Sequence, residues 1–254
     1  MRVLVFQHIA IEHPGIFRDF LAADGVAWDA VELDAGEPIP ALAGYDALWV
    51  MGGPMDTWEE DAHPWLVPEK RAIREAVAER GMPYLGVCLG HQLLGVALGG
   101  RVGPMAKAEV GILGVDLTPA GRRDPFFAGF PPSFEALQWH GAEVSEAPPG
   151  AAVLASSPAC GIQAMRVGRA AYGLQYHVEI TGATVREWGA VPAYACALEG
   201  ALGPGALAAF ERETARRMPD FNRSARRLYD NFMALARSGT APRIGGFGKA
   251  SKVL

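Results

Sequence analysis

The chain predicts an α/β fold: an open, mostly parallel, flavodoxin-like sheet with helices on both faces and a small antiparallel extension. Three observations predict it. From Arg2 to Leu98, short apolar runs alternate with stretches of helical period. From Arg101 to Gln175, brief β-like runs are separated by proline- and glycine-rich turns. From Thr184 onward the pattern is helical again.

The first strand is the apolar run Arg2–Gln7. Gly15–Ala23 follows as a helix, with Ile16, Phe20 and Ala23 at helical spacing and Gly25 able to end it. Val26–Leu33 and Ala47–Met51 read as the next two strands, the latter running into Gly52-Gly53-Pro54. Trp65–Arg80 carries Leu66, Ile73 and Val77 on one helical face and closes at Gly81. Tyr84–Val87 is a strand that passes directly into a helix over Leu89–Leu98. Ile112–Leu117, Val153–Ala155, Gly161–Val167 and Ala171–Tyr176 are the short runs of the antiparallel part and the last strand of the main sheet. Three helices are expected over Thr184–Leu202, Gly205–Met218 and Asn222–Arg237. Residues 1–242 read as one domain and 243–254, with three glycines and few bulky residues, as a flexible tail.

Composition narrows the function classes. The net charge of −5 and the scattered basic residues exclude a nucleic-acid footprint, which needs a basic face. The apolar stretch after Met1 is too short for a signal peptide, and no run approaches the ~18 apolar residues of a membrane span. Cys88, Cys160 and Cys196 are odd in number and widely spaced, which suggests neither a disulfide framework nor a zinc site. A cytoplasmic location is expected, with no metal and no cofactor. The loop after the first strand, Gln7-His8-Ile9-Ala10, lacks the Gly or Ser/Thr cluster of a flavin or phosphate site.

The chemistry concentrates around Cys88. In Tyr84-Leu-Gly-Val-Cys88-Leu-Gly-His-Gln92 a strand meets a helix at the cysteine, with glycines at 86 and 90 relieving a crowded turn. That turn lifts the thiol out at the carboxyl end of the sheet, where open α/β sheets hold ligands. It also sets the sulfur at the positive end of a helix, which favours a thiolate. The Leu89 N–H is then available to an oxyanion. In Gly173-Leu-Gln-Tyr-His177-Val-Glu179, His177 and Glu179 lie two apart at a strand end and point the same way. The carboxylate can hold one imidazole N–H and leave the other nitrogen to take the thiol proton. Gly52 and Gly53, at a third strand end, would let a backbone N–H approach a substrate as a second oxyanion donor. All three pieces fall on one rim.

These residues resemble the class I glutamine amidotransferases. The resemblance rests on Gly86-Val-Cys88-Leu-Gly90-His-Gln92, the downstream His177-x-Glu179 and the upstream Gly52-Gly53, and runs from about Met1 to Trp188. Gly52-Gly-Pro-Met55, His63-Pro-Trp65 and Ala155-Ser-Ser-Pro-Ala159 look most like the free-standing group similar to the amidotransferase domain of GMP synthetase. Plant γ-glutamyl peptidases have a similar layout. The resemblance implies hydrolysis of glutamine's side-chain amide through a γ-glutamyl thioester on Cys88. It also implies that Gln92 and the segment Gln138-Trp139-His140-Gly141 line the substrate site. One departure is Val178, where many members have proline; a looser loop is expected there.

Other residues read as structural. His91 packs on the first helical turn, and Glu109, which could meet a substrate amine, reads instead as capping a hairpin. Cys160 and Cys196 are expected in the core, and the Arg122-Arg123, Arg216-Arg217 and Arg226-Arg227 pairs on solvated faces. Two substrates compete: free glutamine, with ammonia passed to a separate synthetase chain, and a γ-glutamyl peptide or amine that is simply hydrolysed. A binding or regulatory module that kept the fold and lost turnover is a further alternative, opposed by the complete Cys88, His177, Glu179 set. Because glycine makes the 52–53 loop easy to reorient, an isolated chain is expected to be slow on free glutamine.

Overall fold

The computed structural model describes residues 1–239; the stretch 243–254, read as a tail, lies outside them. One nine-stranded sheet organises the chain. Its strands are β1 (Arg2–Gln7), β2 (Ala27–Glu32), β3 (Ala47–Val50), β4 (Tyr84–Val87), β5 (Arg101–Leu117), β6 (Ser133–Glu146), β7 (Ala152–Ser156), β8 (Ala164–Val167) and β9 (Ala171–Leu174). They lie in the order β2-β1-β3-β4-β9-β8-β7-β5-β6. The first five are mutually parallel. The remaining pairings are antiparallel. The expected fold class is therefore the observed one.

The central strands β3, β4 and β9 are buried along their whole length, which is why they read as unbroken apolar runs. Alternate residues of β1 feed opposite layers. Val3 and Val5 pack with Trp49, Tyr172, the helix α1 (Phe17–Ala23) and the C-terminal helix α6 (Leu207–Gly239). Leu4 and Phe6 pack on the other face with α2 (Leu66–Arg74, continued by a π-helical turn at Glu75–Glu79) and α3 (Leu89–Ala97). A third cluster joins Val110, Leu137 and Trp139 to α4 (Thr184–Gly189), α5 (Pro192–Leu202) and α6. Among the described residues no single helix is long and apolar enough to cross a membrane.

Three features differ from the sequence expectation. β5 and β6 form one long antiparallel pair, whereas only Ile112–Leu117 was legible as strand. Exposed charges and glycines along β5 hide its start, and the buried polar residues Gln138 and His140 break the alternation of β6. The helix expected over Thr184–Leu202 divides at Ala190–Val191, with Pro192 opening α5, a position that does not need the missing N–H. Conversely, α6 runs through Pro219 without stopping. Phe210, Phe221 and Phe232 are all buried along it, and their packing outweighs the hydrogen bond the proline forgoes.

Candidate active site

Four segments leave the carboxyl ends of parallel strands and meet on one rim. They are the loop after β1, Gly52-Gly53 after β3, Cys88 after β4, and Gln175–Glu179 after β9. Cys88 occupies the N-cap of α3 with φ 51° and ψ −105°. It is the sole non-glycine residue with positive φ among the described residues. Such a conformation costs on the order of 1–3 kcal/mol and persists only when its surroundings enforce it. Here the Cys88 N–H is tied to the Leu174 carbonyl at 2.7 Å, and the Gly90 N–H to Met51 at 3.2 Å.

The thiol is buried, 7 % exposed. Gln175 Nε2 donates toward its sulfur at 3.6 Å, while Gln175 Oε1 accepts from Gln92 Nε2 at 3.2 Å. His177 is held on three sides. Its backbone N–H bonds the Leu137 carbonyl on β6 at 2.9 Å. Its Nδ1 donates to Glu179 Oε1 at 2.7 Å. Trp188 of α4 packs edge-on to its ring at 4.5 Å. With Nδ1 committed to the carboxylate, Nε2 is the nitrogen left for the thiol. Burial works against a charged ring, yet the Glu179 carboxylate and hydrogen bonding to Cys88 together raise the His177 pKa well above its ordinary value. The imidazole is thus equipped to take the thiol proton.

Glu179 is fixed as firmly. Its Oε2 accepts the Val178 N–H at 2.9 Å, and its backbone carbonyl accepts the Ile16 N–H at 2.7 Å. The expected looseness at Val178 is offset by this bond, which proline has no N–H to make. Two backbone N–H groups at the site, those of Gly53 and Leu89, have no hydrogen-bond acceptor among the described residues. A cavity of about 240 Å³ opens beside Cys88, lined by Gly53, Met55, Trp58, Gln92, Trp139, His140 and Tyr194 among others.

The structure does not bring every expected residue to that cavity. Gln138 is fully buried, its amide is without a partner among the described residues, and it does not line the space. Gly52 does not line it either. Trp139 reaches the wall but is chiefly a core ring against Trp188, Tyr194 and Phe210. Cys196 is a correction: it is exposed, because only Tyr194 and Leu198 of α5 face inward, and small residues gave no clue to the helix's orientation. Cys160 is buried, which pushes its thiol up to about 12. His91 is buried and neutral, its pKa pulled to about 3 by burial, with its Nε2 at 3.1 Å from the Ile162 carbonyl. Glu109 does more than cap a hairpin. It accepts from Ser157 and Gln163 at 2.7 Å each and lies 3.2 Å from His140 Nε2.

Sequence reasoning missed Glu12 and Tyr194. Glu12 is 2 % exposed, and the Tyr194 hydroxyl donates to its Oε1. Burial, together with the charge of Glu179, raises the Glu12 pKa, against the opposing pull of His177 and Tyr194. A carboxyl whose folded-state pKa is raised favours the fold at low pH and opposes it once pH climbs through that raised value. Glu12→Gln keeps an acceptor for Tyr194 and removes the titration. Its melting temperature relative to wild type is expected to rise from pH 4.5 to pH 8, and a pH-independent difference would contradict this account.

A family model described as glutamine amidotransferase class-I matches residues 20–187. The chain belongs to the class I glutamine amidotransferase family. Membership carries glutamine-amide hydrolysis in general terms, in a family whose members are usually enzymes. The glutamine amidotransferase-like protein YfeJ of Salmonella typhimurium is 35 % identical over 187 residues, covering 71 % of this chain and 77 % of that protein. A glutamine-hydrolyzing GMP synthase subunit from Sulfurisphaera tokodaii is 33 % identical over 153 residues, 60 % of this chain and 77 % of its own length. Among solved structures, a glutamine amidotransferase from Thermotoga maritima superimposes with TM-score 0.81 at 27 % identity, covering 93 % of this chain and 98 % of that one. One from Methylobacillus flagellatus gives the same score at 30 % identity, with 92 % and 94 % covered.

Proposed function

We propose that this amidotransferase-family chain hydrolyses a γ-glutamyl amide, with Cys88 as nucleophile, His177 as its base and Glu179 as the group that orients the base. The observation that carries the proposal is the convergence on one rim of the sheet of a strained cysteine, a carboxylate-anchored imidazole and two unpaired backbone N–H groups. The Cys88 sulfur attacks the γ-carbonyl carbon while its proton passes to His177. The carbonyl oxygen takes the negative charge and meets the N–H groups of Gly53 and Leu89. As the C–N bond breaks, His177 returns the proton to the departing nitrogen, leaving a γ-glutamyl thioester. A water molecule, deprotonated by His177, then attacks the thioester and releases glutamate and the free thiol.

Free glutamine is the leading substrate, with ammonia handed to a separate synthetase chain; the resemblance to proteins named as synthase subunits supports that partnership. A larger γ-glutamyl amine or peptide is the second reading. It is favoured by the cavity's extension to the exposed Trp58, past the apolar Met55, Ala193 and Ala197. In either case residues 1–242 form the catalytic unit. A reducing compartment such as the cytoplasm keeps Cys88 a free thiol.

The test incubates the purified chain with L-glutamine and a panel of γ-glutamyl amines and dipeptides, measuring glutamate and ammonia separately. Glutamate with stoichiometric ammonia from L-glutamine supports the first reading, and glutamate from the amine or peptide panel supports the second. Glutamate from none of them would overturn the hydrolase assignment. Glu179→Gln is expected to lower kcat by about 10²–10⁴, less than loss of the nucleophile, because the carboxylate orients rather than reacts. A Glu179→Gln variant as dead as one lacking Cys88 would give Glu179 a different role.

A further inference from the structure

His8 follows β1 directly and is fully buried beneath the site. Its Nδ1 lies 2.8 Å from the Gly52 carbonyl, and its Nε2 lies 2.9 Å from Glu69 Oε1 on α2. Glu69 is itself fully buried. The Trp65 ring stacks on the imidazole at 5.3 Å and 23°. A carbonyl oxygen can only accept, so Nδ1 must carry a proton. That holds whichever of Nε2 and Glu69 keeps the second proton.

The Gly52 carbonyl and the Gly53 N–H belong to one peptide group. In a trans peptide the N–H points opposite to the preceding C=O. Holding the Gly52 carbonyl against His8 therefore fixes the direction of the Gly53 N–H. Turning that peptide over would break the bond and bring two donors face to face in a space without water's compensation. The surroundings are close as well. A Cβ at Gly52 would lie 2.6 Å from Glu12 Oε2, and one at Gly53 would lie 2.6 Å from Met55 Sδ and 2.9 Å from Leu89 Cδ2.

We propose that His8, braced by Glu69 and Trp65, is a positioning residue that keeps the Gly52–Gly53 peptide turned so that the Gly53 N–H meets the substrate's oxyanion. The inference rests on the catalytic reading of Cys88 given above. It changes what the glycine pair implies on its own: the loop that glycine would leave free to reorient is clamped from below, and the chain holds its oxyanion hole formed without a partner chain.

Two polar variants separate the clamp from general packing. Asparagine at position 8 sets an amide nitrogen near the place of Nδ1 and can still donate to Gly52. Glutamine reaches instead toward the place of Nε2 and Glu69. Three measurements are made on each full-length variant: alkylation of Cys88 by iodoacetamide, followed by peptide mass spectrometry; affinity for the γ-aldehyde analogue of glutamine; and turnover of L-glutamine. Alkylation needs the thiolate and no oxyanion hole. The aldehyde adds the Cys88 sulfur to its carbonyl carbon, and the carbonyl oxygen then occupies the oxyanion position, protonated or not. His8→Gln is expected to alkylate within about twofold of wild type while its aldehyde affinity and kcat fall by roughly 10²-fold, the scale of one lost oxyanion donor. KM should change little, and His8→Asn should recover most of the loss. Equal aldehyde affinity in wild type and both variants would overturn the clamp alone. So would a parallel fall in alkylation and aldehyde binding, which marks a merely structural residue. A wild type that forms no aldehyde adduct at all would overturn the catalytic reading and the clamp with it.

Discussion

Cys88→Ala yields a folded protein whose kcat on the wild-type substrate is lower by about 10⁵ or more, the scale seen when a nucleophile is removed from a preorganised site. No other thiol can substitute. Cys160 is buried with its ionisation pushed up to about 12, and Cys196 sits on the exposed side of α5. Adding His177→Ala to Cys88→Ala should cost almost nothing more, because the two act as one unit. Stability should barely change. Alanine and cysteine carry the same backbone strain at φ 51°, and the bond from Gln175 to the sulfur is a weak one at 3.6 Å. Steady-state kinetics and a thermal melt on the same preparation decide the matter. Wild-type turnover in the alanine variant would end the assignment of Cys88. A collapse of the melt would instead mean that the cysteine is mainly structural.

The pieces of the site that were legible in sequence share one property: each is a reactive side chain or a glycine directly after an apolar run. Cys88 between Gly86 and Gly90, His177 and Glu179 after Ala171–Tyr176, and Gly52-Gly53 after Ala47–Met51 all carry their own local context. What was hidden depends on distant segments meeting. Glu12 and Tyr194 are 182 residues apart in the chain and form one buried pair. An acidic residue in a loop gives no local sign that it will be enclosed. Gln175 looked like a strand residue, yet it bridges Gln92 to the sulfur. His8 looked like a loop histidine because its partners, Gly52 and Glu69, come from two other elements.

The same reasoning accounts for the extension. Where a strand is buried on both faces, composition alone announces it, as in β3, β4 and β9. β6 turns the polar Gln138 and His140 inward, His140 toward the Ala142 carbonyl and the cavity, so its inward face is not apolar and the period of two is lost. Likewise α6 contains Pro219, a local stop signal overridden by a long stripe of buried aromatic residues. Local rules failed where the packing or the site imposed something stronger.

The second large effect concerns Gly90, the second residue of α3. Its backbone is ordinary helix, so alanine there would not be strained by conformation. The difficulty is space. A Cβ would lie 2.0 Å from the Val50 carbonyl oxygen and 2.7 Å from its carbon, both backbone atoms of β3. No side-chain rotation can relieve such a contact; α3 or β3 must move. Movement is resisted on every side. The Gly90 N–H bonds Met51 at 3.2 Å, the Gly90 carbonyl accepts from the buried Tyr84 hydroxyl at 2.7 Å, and a Cβ on Gly86 would itself lie 2.5 Å from Gly90. Overpacking in a rigid core typically costs about 1–3 kcal/mol, and a backbone contact this short belongs above that range, at about 4 kcal/mol or more. At roughly 2–4 °C per kcal/mol for a chain of this size, Gly90→Ala is expected to melt about 10 °C or more below wild type, or to fail to fold. Gly103→Ala and Gly114→Ala, where an added Cβ meets nothing within 4 Å, should stay close to wild type. If all three variants melted together, the close approach of α3 to β3 would not be what holds the elbow. If only Gly90→Ala falls, the glycine after Cys88 is explained by geometry: it lets the helix start directly against the sheet, and so sets the thiol on the rim where His177 can reach it.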